Sequence, residues 1–151
     1  KAAIGILAEE IYMKDREHIY ILSTDKNNIP INVGLISIGT INSAPLAPEM
    51  AFKIPILSNA KNIYLMHNHP SGDYTASMED IEVFKRIKIA GDELGIEVRD
   101  FFIVGAYNKA IYSLSEERLL EIRNPKVIRE ENKEQDRIRK KLEKLEESIE
   151  L

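Results

Sequence analysis

A run of four apolar residues at positions 63–66 is followed at once by two histidines. An unbroken apolar run of this length is typical of a strand that is buried on both faces near the centre of a sheet. Alternate residues of a strand point to the same face, so we expect His67 and His69 to reach one point in space. The chain therefore needs a fold whose central strand ends in a pair of histidines.

The residues after the histidine pair predict a loop and then the start of a helix. Pro70 and Gly72 favour the loop, and Ser77 stands three positions before Asp80 ahead of an apolar-periodic stretch. Ser-x-x-acid at this place is close to a capping box, so a helix cap alone would explain the pair. Two imidazole nitrogens and one carboxylate are also a normal zinc ligand set that leaves a fourth position for water. We interpret the conjunction as an enzyme site.

The rest of the chain alternates helical and strand patterns. Helices are predicted up to about residue 13, over 48–59 and over 78–94, and strands over 19–22, 31–38, 98–104 and 110–114. A turn is expected at 25–28, Gly34 is interpreted as a bulge, and Pro55 should break or kink its helix unless it lies near an end. This order predicts an α/β fold in which helices flank a mixed central sheet.

Composition narrows the chemistry. The chain has no cysteine, so any zinc must be held by histidine and carboxylate groups. Its net charge is −4 and it shows no basic stripe, which weighs against nucleic acid as the main ligand but leaves it open. No apolar stretch is long enough for a membrane span and no signal peptide pattern begins the sequence, so we expect a cytoplasmic protein with no membrane partner.

The last stretch, from Pro125 onward, is dense in charges of alternating sign. Apolar residues spaced 4, 3 and 4 positions apart form a short seam there, namely Ile138, Leu142, Leu145 and Ile149. We predict a charged C-terminal helix over residues 117–151, outside a main domain at 1–116. This helix either packs one stripe on its own domain or mediates self-association or docking to a partner.

The central motif resembles that of a known family. His67-x-His69, seven residues, Ser77, two residues and Asp80 is similar to the signature of the JAB/MPN (JAMM) metalloproteases. The loop resembles the RadC-like branch of that superfamily through Asn68, Pro70, Ser71, Gly72 and Asp73. Further similarity to this branch lies at residues 17–22, 25–28, 39–40, 80–81, 86, 90–91, 94–96, 100 and 103–105. The resemblance covers about residues 1–115.

The resemblance implies a layered architecture, JAB/MPN and cytidine-deaminase-like, and a zinc metallopeptidase activity. Zn²⁺ would be held by His67, His69 and Asp80, and water that the zinc activates would hydrolyse a peptide or isopeptide bond. The partner would then be a peptide or a ubiquitin-like protein. The name of the branch supplies the alternative, a DNA-repair-associated module or nuclease that retains the metal site. A third hypothesis is a catalytically inactive interaction domain, but the intact ligand set argues against it.

Two further roles follow from the resemblance. Glu17, at the start of the first strand, matches the upstream glutamate that acts as general base, and Ser77 matches the residue that donates to the oxyanion. Glu9 and Glu10 are rivals as base, although both lie on the N-terminal helix. His18 should face away from Glu17 on the strand and is expected to be a surface or packing residue.

Other positions bear on substrate choice. Asp73 matches the family loop and is expected either to order that loop or to touch a histidine nitrogen. Phe101 stands where a histidine often follows the aspartate, and the sequence Ala-Pro-Glu-Met at 47–50 lacks the usual basic residue. We expect the segment 39–47 to set specificity.

Overall fold

The computed structural model describes residues 2–39, 44–107 and 110–120, together with the helical positions Arg137 and Lys140. The chain divides into two units, Leu7–Glu121 and a second one that comprises Lys1–Ile6 and Ile122–Leu151. Within the described part of the chain, no helix combines the length and the apolar character that crossing a bilayer would require. Of the C-terminal segment predicted to be helical, Arg118–Leu120 forms a strand instead, because these residues pair with a neighbouring strand. The apolar seam of the predicted helix lies outside the described residues, and the domain boundary at 116 stays a prediction.

Six strands of the described residues form a mixed sheet at the centre of the fold. Its strands are β1 (His18–Thr24), β2 (Pro30–Ile38), β3 (Asn62–His69), β4 (Glu97–Gly105), β5 (Ile111–Ser113) and β6 (Arg118–Leu120). Their spatial order is β2-β1-β3-β4-β5-β6. Only β3 and β4 run parallel, and every other neighbouring pair is antiparallel. The predicted α/β class with a mixed sheet is confirmed, and the apolar run at 63–66 lies on an inner strand.

Three helices complete the described fold, namely α1 (Ala2–Ile11), α2 (Pro48–Leu57) and α3 (Met78–Leu94). On α1 the apolar positions that recur at helical spacing are all buried: Ile4, Leu7, Ala8 and Ile11. Helix α3 begins after Ser77 and ends at Gly95, which has the left-handed conformation that glycine adopts without strain (φ +68°). The helices predicted from periodicity are therefore confirmed.

The core lies between α2, α3 and one face of the sheet. It includes side chains from both helices and from three neighbouring strands, among them Ile19, Ile21, Phe52, Ile63, Leu65, Ile87, Phe101 and Ile103. Ile63 and Leu65 are an even number of positions before His67, so the histidine pair points to the face that carries α3.

Two local expectations concerned a bulge at Gly34 and a helix break at Pro55. Gly34 is not a bulge, because it pairs with Ile21 and the register skips Ile36 instead. A Cβ at Gly34 would lie 2.5 Å from Cδ1 of Ile54, so a larger residue there would require the Ile54 side chain on α2 to move. The second helix continues through Pro55 to its end at Leu57. The proline removes one backbone donor, and it stands so near the end that little of the helix lies beyond it.

Candidate metal centre

The carboxyl end of β3 and the first turn of α3 bring three side chains together. Nε2 of His67 lies 3.2 Å from Oδ1 of Asp80, and Nε2 of His69 lies 3.5 Å from Oδ2 of the same carboxylate. The two imidazole rings meet edge to face with centroids 4.6 Å apart. All three residues are buried. The strand alternation thus places both histidines on one face, as the sequence predicts.

The start of α3 explains how Asp80 is held. Oγ of Ser77 accepts a hydrogen bond from the backbone N–H of Asp80 at 3.0 Å, and the backbone N–H of Ser77 donates to Oδ2 of Asp80 at 2.7 Å. This is a complete capping box. The cap predicted from Ser-x-x-acid is real, and it aims the Asp80 carboxylate at the histidines.

The donor set fits a metal ion. One ligand atom from each of His67, His69 and Asp80 lies within 4.8 Å of the others. Nε2 of His67 is buried and has no hydrogen-bond partner in the described structure, although Oδ1 of Asp80 lies 3.2 Å away. A buried nitrogen of this kind is costly to leave without a partner, and a metal would supply one.

The tautomer of His69 also favours metal binding. Its Nδ1 lies 2.6 Å from the backbone carbonyl oxygen of Asp73. A carbonyl can only accept, so Nδ1 carries the proton, and in the neutral ring Nε2 keeps its lone pair on the side of Asp80. The Asp73 side chain orders the same loop by accepting from the backbone and the hydroxyl of Thr75. Both roles expected for Asp73 are therefore seen, with its backbone making the histidine contact.

Burial and charge set the protonation of the three groups. Burial lowers the pKa of His67 to about 4. Burial opposes ionisation of Asp80, but the hydrogen bond with His69 and the neighbouring His67 outweigh it and lower the Asp80 pKa to about 2. Burial also disfavours protonated His69, yet the Asp80 carboxylate more than offsets this and raises the His69 pKa. Near neutral pH the site therefore holds an ionised carboxylate and a neutral His67, the forms that bind metals.

Glu17 lies directly before β1 and is buried. Its Oε2 is 4.0 Å from Nδ1 of His67, and burial raises the pKa of Glu17 to about 7. Neither of its rivals, Glu9 and Glu10, is among the residues that line the cavity around the histidines, and Glu10 is exposed on α1. Of these three candidates, Glu17 is thus the one that the structure brings to the histidines.

A cavity of about 310 Å³ contains all five residues singled out from the sequence. Four of its described lining residues are acidic and none is lysine or arginine. The lining comprises Glu17, Ile19, Ala44, His67, His69, Ser71, Asp73, Thr75, Ser77, Glu79, Asp80, Val83 and Phe101. Of the segment expected to set specificity, Ala44 contributes to this lining, and residues 40–43 lie outside the described part of the chain.

Sequence reasoning assigned no site role to two residues that the structure places beside the histidines. The ring of Phe101 packs against His67 with centroids 4.8 Å apart, so the departure from the family pattern supplies an apolar wall. Asn68 is fully buried on the other face of β3. The sequence signal for a role of Asn68 was its position between two histidines that share a face of the strand.

His18 is half-buried and stacks on Tyr20, in keeping with the packing role that the sequence predicts.

The fold and the site together define an α/β domain with a candidate metal centre at the end of an inner strand. The chain matches the family model of the RadC-like JAB domain over residues 1–119, and it belongs to this family.

The chain is also similar to several proteins that are named UPF0758. The chain is 43% identical over 100 residues to a UPF0758 protein of Desulfitobacterium hafniense, covering 66% of this chain and 44% of that protein. It is 38% identical over 121 residues to a UPF0758 protein of Clostridium acetobutylicum, covering 80% and 52%. A UPF0758 protein of Moorella thermoacetica is 42% identical over 116 residues, covering 77% and 50%. The chain spans about half the length of these relatives.

Proposed function

We propose that this chain is a zinc metallopeptidase that hydrolyses a peptide or isopeptide bond. The observation that carries the proposal is a second buried carboxylate, Glu17, in the same cavity as a two-histidine, one-carboxylate donor set. Donors alone could serve a structural metal, whereas a nearby carboxylate that can exchange a proton is what hydrolysis requires.

His67, His69 and Asp80 would hold the Zn²⁺. Two imidazole nitrogens and one carboxylate oxygen make the kind of three-ligand set that catalytic zinc sites use. When bound, Zn²⁺ acts as a Lewis acid and lowers the pKa of water to about 7. The capping box holds Asp80 in place, and the carbonyl of Asp73 fixes the ring orientation of His69.

Glu17 would act as the general base. Burial raises its pKa to about 7, so the carboxylate can take a proton from water in the cavity and pass it to the leaving amine near neutral pH. The apolar wall made by Ile19 and Phe101 limits competing solvent around it.

Ser77 would stabilise the oxyanion. The cap uses a lone pair of its Oγ to accept from the Asp80 N–H, which leaves the hydroxyl proton for a substrate oxygen. Ser77 is exposed at the edge of the cavity, where a substrate carbonyl can reach it. The structural and catalytic roles are therefore compatible.

The charge of the cavity favours a peptide over a nucleic acid. Glu17, Asp73, Glu79 and Asp80 line it, and no lysine or arginine does so among the described residues. A phosphate backbone draws most of its binding energy from basic side chains. A DNA-associated function is therefore the less favoured alternative, and the test below distinguishes it from peptide hydrolysis.

The test compares Glu17→Gln with Glu10→Gln, which changes an exposed glutamate on α1. Zinc-loaded protein is assayed on a panel of fluorogenic peptides and lysine-linked isopeptides, with zinc content measured on the same samples. We expect Glu17→Gln to keep its zinc and lose about 10²–10⁴-fold in kcat, while Glu10→Gln keeps both.

Two results would contradict the proposal. If the wild-type chain stays metal-free in excess zinc, the hypothesis that it is a zinc enzyme is wrong. Salt-sensitive binding of duplex DNA without cleavage of any peptide or isopeptide probe would support the DNA-associated alternative.

A further inference from the structure

Asn68 bonds to the segment that carries Glu17. Its Oδ1 accepts from the backbone N–H of His18 at 2.8 Å, and its Nδ2 donates to the carbonyl oxygens of Arg16 at 2.9 Å and Lys14 at 3.3 Å. The side chain is fully buried. Only one orientation of the amide serves these partners, because the carbonyls need a donor and the N–H needs an acceptor.

These bonds lie on both sides of Glu17 in the sequence. In the ladder between β1 and β3, the pair nearest this end is Ile19 with His67. Beyond that pair the Asn68 side chain replaces the backbone as partner, since its Oδ1 accepts from the N–H of His18. The carbonyl of Glu17 accepts a further backbone hydrogen bond, from the N–H of Gly39 at 2.8 Å.

The geometry points to Asn68 as the positioning residue for Glu17. Asn68 stands between the two histidines in the sequence but faces away from them, so one strand segment presents the metal donors on one face and a clamp on the other. We infer that the clamp fixes the distance between the Glu17 carboxylate and the histidine pair. The inference rests on the proposed role of Glu17 as general base.

Asn62 offers a matched control on the same strand. It is buried, lies on the same face of β3 as Asn68, and donates from Nδ2 to the carbonyl oxygen of Asp25 at 2.7 Å. It therefore clamps the far end of β1, away from Glu17. Asn62→Ala removes a comparable side chain and comparable hydrogen bonds without touching the segment 14–18.

The first experiment needs no turnover. Amide hydrogen exchange is measured on wild type, Asn68→Ala and Asn62→Ala, together with thermal unfolding and zinc content. Losing the acceptor of one backbone N–H should speed exchange at His18 about tenfold in Asn68→Ala, with exchange at this position unchanged in Asn62→Ala. Crystal structures of the two variants should show displacement of residues 14–18 only for Asn68→Ala.

The second experiment measures turnover of the peptide or isopeptide probe that wild type cleaves best. A displacement of about 1 Å can cost about 100-fold in rate, so we expect kcat of Asn68→Ala to fall to that extent. KM and zinc content should stay near the wild-type values. Asn62→Ala, with a similar loss of thermal stability, should keep its kcat.

The outcomes separate the inference from the proposed function. If wild type cleaves no probe, the proposed function fails, while the exchange data and the crystal structures still decide whether Asn68 holds the Glu17 segment. Equal exchange at His18 in both variants, or an unchanged kcat in a cleaving Asn68→Ala enzyme, would overturn the inference. If Asn68→Ala does not fold, Asn68→Ser, which keeps one donor and fills part of the space, takes its place in the same comparison.

Discussion

The two ends of β3 use the same device for different purposes. At each end a buried asparagine on the same face reaches over to the backbone at one end of β1. At the amino end, Asn62 holds the turn that begins with Asp25, and its Oδ1 accepts from Nε of Arg99. At the carboxyl end, Asn68 holds the segment that carries Glu17. A hydrogen-bonded clamp is therefore not a sign of function by itself; what matters is the group that it holds.

The opposite face of β3 carries different side chains at its two ends. Near the amino end it presents Ile63 and Leu65 to the core. At the carboxyl end it presents His67 and His69, and a buried nitrogen of His67 has no hydrogen-bond partner among the residues that the structure describes. Buried polar groups without partners are rare enough in proteins that such a group at a cluster of ionisable residues indicates a ligand site.

The largest expected effect falls on the carboxyl end. His67→Ala removes one of three donors, so bound zinc should drop from about one per chain to near zero. Elemental analysis after dialysis measures this, and Asn62→Ala should retain its metal. Full zinc retention in His67→Ala would show that the three residues are not the ligand set.

Ser77→Ala tests the double role at the start of α3. Loss of the cap should cost about 1 kcal/mol of unfolding free energy, and loss of an oxyanion donor should lower kcat by about 10²-fold. Denaturant unfolding and steady-state kinetics separate the two effects. Ser77→Thr keeps the hydroxyl and should keep most of both. Zinc content is measured on the same samples, because the cap also holds Asp80. A cap-only role predicts an unchanged kcat in a Ser77→Ala protein that keeps its zinc.

Asp25→Ala probes the amino end. Oδ1 of Asp25 accepts from the backbone N–H groups of Asn27 at 2.8 Å and Ile29 at 2.9 Å, which stabilises the turn. Its removal should cost about 1–2 kcal/mol of unfolding free energy. Zinc content and kcat should match wild type, and a loss of either would mean that the two ends of β3 are coupled.

Tyr64→Phe should have the smallest effect. The hydroxyl of Tyr64 lies 3.2 Å from Oδ1 of Asn28, while its ring stacks on Phe102. The variant keeps the stacking and loses one partly exposed hydrogen bond, at a cost of about 0.5–1 kcal/mol. A shift of the urea midpoint without a change in slope would measure this, and a shift as large as that of Asp25→Ala would contradict it.

Local patterns predicted much of the fold and part of the site. Strand alternation placed His67 and His69 on one face, and the Ser-x-x-acid signature placed Asp80 in the first turn of α3, because both depend on periodicities within one element. The short strand β6 carried no such pattern and was not predicted.

Long-range features could not be obtained in this way. The approach of Glu17 to His67 depends on the register between β1 and β3, and these strands are not joined by a hairpin turn whose length would fix that register. The clamp made by Asn68 and the wall made by Phe101 are likewise contacts between elements. Their residue types are compatible with many environments, so only the packed structure distinguishes them.

The pairing of β1 with β3 has a consequence for when the chain could become active. His18 and Asn68, which join the two halves of the site, are 50 positions apart in the sequence. Contacts between distant segments lose loop-closure entropy before they gain stabilising interactions, so such pairings tend to form late in folding. A peptidase of the proposed kind would therefore lack its base while its own chain is extended, because Glu17 meets His67 only after β1 has paired with β3.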